Sequence, residues 1–129
     1  MPADSLPDPL RRFILGCIPS VPYLEAMLLL RSDPATPWDA RGAAQRLYLR
    51  PPVARDLLAL LAEAGIAAPV PGQEGFYRFQ PETPELQAML AQLAAAYSTD
   101  LLDVTALIHS RIEKRAQQFA DAFRWRKEP

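Results

Sequence analysis

Residues 38–80 read WDARGAAQRLYLRPPVARDLLALLAEAGIAAPVPGQEGFYRFQ, and the reading of this stretch decides the fold. Asp39 is placed to cap a helix that begins at Ala40, because its carboxylate can accept from free backbone N–H groups and meets the positive end of the helix dipole. Ala40, Ala43, Ala44 and Leu47 then fall on one face at helical spacing. Tyr48-Leu49-Arg50 must form a turn, since Pro51 and Pro52 follow it; the residue before a proline avoids helical angles, and proline suits the first turn of a new helix. The spacing predicts that second helix over Pro52–Ala64, with Val53, Leu57, Leu60, Leu61 and Ala64 as its buried face and Gly65 as its left-handed stop. Ile66–Val70 and Phe76–Gln80 alternate faces as strands do, around a glycine-flanked loop from Pro71 to Gly75. Pro69 cannot donate a ladder hydrogen bond, so the first strand belongs at a sheet edge. Trp38 is expected to supply a short third strand or an anchor beside it.

Working outward, the rest of the chain reads as helix. Asp8-Pro9 opens a short amphipathic helix through about Cys17, and Pro19-Ser20 breaks it. Val21–Arg31 is apolar on nearly every side, which predicts a central helix, and Ser32–Pro37 is the loop that ends it. Thr83-Pro84-Glu85 starts a helix whose stripe is Leu86, Met89, Leu90, Leu93 and Tyr97. A last, long helix is expected to be capped by Ser98 or Thr99, with Leu101, Val104, Thr105, Ile108, Ile112, Ala116, Phe119 and Phe123 as its stripe. The expected organisation is an N-terminal proline-rich arm with a short helix over 1–19, a central domain over 20–81, and C-terminal helices over 82–129.

The order helix, tight turn, helix, hairpin resembles a winged helix-turn-helix domain of the kind found in bacterial transcription regulators of the MarR group. The resemblance covers residues 20 to 80; Leu57-Leu58-Ala59-Leu60-Leu61-Ala62-Glu63-Ala64-Gly65-Ile66 is similar to the end of a recognition helix running into its wing. Phe119-Ala120-Asp121-Ala122-Phe123-Arg124 also resembles the tail of a group of short bacterial winged-helix proteins. The fold class implied is mostly α with a small β-hairpin wing, followed by C-terminal helices, and the function implied is DNA-binding transcriptional control.

Composition sets the outer limits. The 129 residues are long enough for a real core, and half of them are apolar, which opposes disorder throughout. Proline concentrates at the N-terminus and at element boundaries, where it punctuates the chain. Phe13–Ile18 is too short for a transmembrane span and lacks signal-peptide flanks, so a cytoplasmic protein with no membrane partner is expected. Cys17 is the only cysteine, which rules out an internal disulfide; its apolar surroundings predict a buried thiol.

Motifs for catalysis are lacking. His109 is the only histidine, and no spacing supplies the partners for a triad or a metal site, so it reads as a polar helix residue. There is no phosphate-binding glycine loop, no dinucleotide fingerprint and no nucleophile elbow. No enzyme activity, cofactor or metal is expected.

For DNA, the N-terminal half of the second helix would enter the major groove. Arg50 and Arg55 are the side chains there able to make bidentate contacts to guanine or phosphate, while Arg41, Arg46 and Arg78 could bind backbone phosphates. Pro51 and Pro52 offer only apolar contact, and Asp56 repels phosphate. From Arg41 through Asp56 four positive residues stand against one negative, in a chain whose net charge is −1. The competing readings are a solvated helix face and a winged helix that binds another protein without nucleic acid; the prolines, Asp56 and Glu74 favour the latter. The stripe of the last helix exceeds what one small domain covers, so a homodimer is expected through Ile108, Ile112, Phe119 and Phe123. The basic end of that helix, with Arg111, Lys114, Arg115, Arg124, Arg126 and Lys127, offers a further phosphate contact or a docking helix for an acidic partner.

Overall fold

A computed structural model describes residues 6–112. The chain is mostly helical with one small antiparallel sheet: α1 (Asp8–Cys17), α2 (Val21–Ser32), α3 (Ala40–Leu47), α4 (Pro51–Glu63), β1 (Ala67–Pro69), β2 (Tyr77–Phe79), α5 (Pro84–Thr99) and a further helix, α6, over residues 101–112. Two compact units are formed. One spans residues 22–94; the other joins residues 1–21 to 95–129.

In the unit of residues 22–94, α3 starts where its cap is. Asp39 is extended, and its Oδ1 accepts from the Gly42 N–H at 2.8 Å. Tyr48 closes α3 in the left-handed conformation, φ 56° and ψ 45°. Its N–H and that of Leu49 both donate to the Ala44 carbonyl. Arg50 is extended, as the residue before a proline must be, and Pro51 opens α4. At the far end of α4, Gly65 takes φ 77° and the Ile66 N–H reaches back to the Leu61 carbonyl at 3.0 Å. A Cβ on Gly65 would also lie 2.5 Å from the Glu82 carboxyl group. The glycine therefore answers a backbone requirement first, since the exposed Glu82 side chain can move aside.

The buried face of α4 differs from the one that spacing suggested. Ala54, Leu57, Leu58 and Leu61 are buried, whereas Val53 and Leu60 remain 42% and 44% exposed and Ala64 is exposed. The helix carries apolar residues round more than half its circumference, so periodicity alone allows either face. The choice belongs to packing: α4 lies against both α3 and β1. The buried residues of α3 are Ala43 and Ala44, and small side chains let two helix axes approach closely. Turning Ala54 rather than Val53 inward suits that approach. The remaining core of this unit comes from α2 (Tyr23, Leu24, Ala26, Met27, Leu29, Leu30), from Ile66, Ala67 and Phe79, and from Leu90 and Leu93 on α5. Each fully buried leucine contributes about 1.5–3 kcal/mol.

β1 and β2 pair antiparallel, Ala67 opposite Phe79, Ala68 opposite Arg78 and Pro69 opposite Tyr77. Trp38 adds a bridge on the other side of β2: its N–H donates to the Tyr77 carbonyl at 2.7 Å and its carbonyl accepts from the Tyr77 N–H at 2.8 Å. Tyr77 thus spends both backbone groups on Trp38, and Pro69 opposite it has no donation to make. β1 is left at the edge, where its proline is tolerated. The connecting loop holds two successive turns, Gln73 N–H to Val70 carbonyl and Phe76 N–H to Gln73 carbonyl, the first with the Pro71-Gly72 pair at its centre.

In the other unit, Leu6, Leu10, Ile14 and Ile18 recur every fourth residue and are all buried, as are Ala96, Val104 and Ile108. Cys17 lies off that α1 stripe and is exposed, which corrects the expected buried thiol: the narrow stripe, not the apolar run, decides what is covered. The expected cap of the last helix is also corrected. Ser98 and Thr99 belong to the end of α5, and the break is the single residue Asp100, whose N–H donates to the Ala96 carbonyl and whose carbonyl accepts from the Val104 N–H. Ile108, expected at a dimer interface, is fully buried within the single chain, while Leu101, Leu102 and Ile112 stay 47%, 79% and 43% exposed. Phe119 and Phe123 lie outside the described residues, as does most of the basic tail. No single helix among the described residues is long and apolar enough to cross a membrane.

Candidate nucleic-acid interface

A groove of about 450 Å³ opens between the start of α3, the middle of α4 and the hairpin. Its walls are Asp39, Ala40 and Arg41 on one side, Arg55 and Leu58 on α4, and Glu74 to Tyr77 on the hairpin. Two of the five arginines singled out in the sequence therefore meet in one place. Arg41 and Arg55 are both exposed, and neither has a hydrogen bond, ion pair or ring contact among the described residues. Arg50 is likewise exposed and unengaged at the entrance of α4. Two uncommitted guanidinium groups in a shared groove are a site for phosphate or carboxylate oxygen, since each presents a planar fork of donors.

The other two arginines are placed differently. Arg46 lies over the Trp38 indole, 5.6 Å from its ring centre, a stacking arrangement that holds the side chain against its own unit. Arg78 is half-buried on β2, with Nε 3.4 Å from Gln80 Oε1. Both remain cations near the hairpin, but neither lines the groove.

Trp38 is the residue on which this corner is built. Its backbone joins β2, and its indole lies beside Gly42 and under Arg46, one helical turn apart on α3. A Cβ on Gly42 would approach the Trp38 ring at 3.6 Å and the capping Asp39 Oδ1 at 3.2 Å. Glycine is costly inside a helix, by about 1 kcal/mol against alanine. Here its bareness relieves the capping carboxylate, while the indole would accept a Cβ at ordinary contact distance. The Trp38 Nε1–H is buried without a hydrogen-bond partner among the described residues.

The outward surface of α4 carries Pro51, Pro52, Val53, Arg55, Asp56, Ala59, Leu60 and Glu63. Beyond Arg55 that surface is apolar and acidic; in the groove Arg41 and Arg55 share the lining with the carboxylates of Asp39 and Glu74, and Arg50 stands at the entrance of α4. Spacing missed three features: the groove itself, the role of Gly42, and Tyr48, which is 94% exposed in a left-handed conformation. An internal helical glycine four residues from a tryptophan could have signalled the second. Nothing local marks Tyr48 as left-handed.

Among the described residues, no group of three or more His, Cys, Asp or Glu side chains is arranged to hold a metal ion, and no polar or charged side chain is buried in the core. No known protein family, no curated protein and no solved structure matches this chain.

Proposed function

We propose that residues 38–80 form a winged helix-turn-helix and that the protein binds double-stranded DNA as a transcriptional regulator, holding the phosphate backbone in the groove between helix pair and hairpin. The observation that carries this reading is the pair Arg41 and Arg55, exposed, without a partner among the described residues and lining one groove, with Arg50 exposed at the entrance of α4. From Ala40 through Arg55 the chain has Arg41, Arg46, Arg50 and Arg55 and no carboxylate. Phosphate contacts dominate affinity and position a protein without reading sequence. The acidic, apolar outer surface of α4 leaves base contacts to its N-terminal end, where Arg50 precedes the helix and Arg55 stands in its second turn.

A dimer would double this modest charge. The reading includes a homodimer through the apolar surface that Leu101, Leu102 and Ile112 leave open and that the sequence continues to Phe119 and Phe123. Light scattering at micromolar concentration tests it, and a monomer there contradicts it.

One observation favours a second reading, a winged-helix module that binds protein instead. Val53 and Leu60 are exposed on α4 among Asp56 and Glu63, a mixture suited to a protein surface. Anisotropy of a labelled random duplex at low ionic strength separates the two. Binding that is lost in Arg41→Ala/Arg55→Ala supports the DNA reading. Undetectable binding by the wild type, or binding unchanged in the double variant, rejects it.

A further inference from the structure

α3 and α4 end in the same way. In each, one residue turns left-handed and the next N–H reaches back five residues, Leu49 to Ala44 and Ile66 to Leu61. At the end of α4 that residue is Gly65, φ 77°; at the end of α3 it is Tyr48, φ 56°. Glycine adopts these angles without a Cβ penalty, whereas a bulky side chain there is strained. A tyrosine could offset the strain by packing, yet Tyr48 is 94% exposed and its hydroxyl has no hydrogen-bond partner among the described residues. The fold gains nothing visible from the ring.

We infer that Tyr48 is a DNA-contact residue, its phenol standing out from the turn to donate a hydrogen bond to a backbone phosphate next to those held by Arg50 and the groove, a claim that rests on the DNA reading above. Its setting fits that occupant. Tyr48 lies in the middle of the acid-free segment from Ala40 to Arg55, two residues after Arg46 and two before Arg50, the residue that precedes α4. An exposed phenol among arginines is complementary to an anionic backbone, and tyrosine hydroxyls are regular donors to phosphate oxygens. Strain retained at an exposed aromatic is the pattern of a residue kept for binding rather than for folding.

The test pairs two variants of the full chain, Tyr48→Gly and Tyr48→Phe, with labelled random duplex and thermal unfolding as the two readouts. Tyr48→Gly is expected to raise the unfolding midpoint and Tyr48→Phe to leave it unchanged. Both are expected to weaken duplex binding by about tenfold or more, the effect of losing one hydrogen bond to a charged group. Wild-type affinity in either variant overturns the hydroxyl contact. A lowered midpoint in Tyr48→Gly overturns it too, by showing that the fold needs the ring. If Arg41→Ala/Arg55→Ala loses binding while both tyrosine variants keep it, only the Tyr48 assignment fails. If the wild type binds no duplex at low salt, the DNA reading and this assignment fall together, and the exposed ring is left to a protein partner.

Discussion

Single residues fix the ends of the elements around the groove. Asp39 satisfies the Gly42 N–H and holds the first turn of α3, which carries Arg41. Asp39→Ala is expected to cost about 1 kcal/mol, the usual worth of such a cap, read from the midpoint of urea unfolding at constant slope. Gly65→Ala is expected to cost about 1–2 kcal/mol in the same experiment, because φ 77° penalises a Cβ. The displaced Glu82 side chain is exposed and can move aside, so its crowding adds little. Both roles were legible in the sequence: an acid before a helical run and a glycine after one are local signals. Tyr48 was not legible, since its left-handed angles oppose what its residue type prefers. Cys17 was misread for the opposite reason, because its apolar neighbours said nothing about which side of α1 faces in.

At the scale of elements, the sequence placed α3, α4, both strands and the Trp38 bridge close to where they lie. Proline and glycine mark each boundary, and alternation marks each strand. The orientation of α4 about its own axis was not readable. Its leucines and alanines support two overlapping faces, and only the neighbours in space, α3 and β1, select one. The selected face makes a sharp prediction. Leu61→Ala should cost about 2–5 kcal/mol, whereas Val53→Ser and Leu60→Ser, at partly exposed positions, should each cost about 1 kcal/mol or less. Denaturant unfolding of the three variants checks it, and a large loss at Val53 or Leu60 would restore the face that spacing suggested. The groove was unreadable for a similar reason. Arg41 and Arg55 are separated by a helix, a turn and the start of another helix, and their meeting opposite Glu74–Tyr77 depends on how the hairpin folds beside them.

At the scale of the whole molecule, a chain of net charge −1 would have to engage a polyanion if it binds DNA as proposed. The proposed answer is local concentration: four of the fourteen lysines and arginines lie between Ala40 and Arg55 with no carboxylate among them, and a second copy doubles that number. The dimer prediction belongs here. Leu102→Glu combined with Ile112→Glu should leave helix content intact, since both side chains are exposed, and should convert a dimer to a monomer in light scattering. Loss of folding in that variant would instead place these residues in the core of their own protomer.

The salt dependence of duplex binding tests the central claim most directly. Each phosphate neutralised by a cation contributes about 0.9 to the slope of log affinity against log salt concentration. For the wild type the account predicts measurable binding to random duplex at low salt that weakens steadily as salt rises, and for Arg41→Ala/Arg55→Ala a slope shallower by about two. Equal slopes for the two proteins, or no binding by the wild type at the lowest salt, would contradict the claim that this groove holds the DNA backbone.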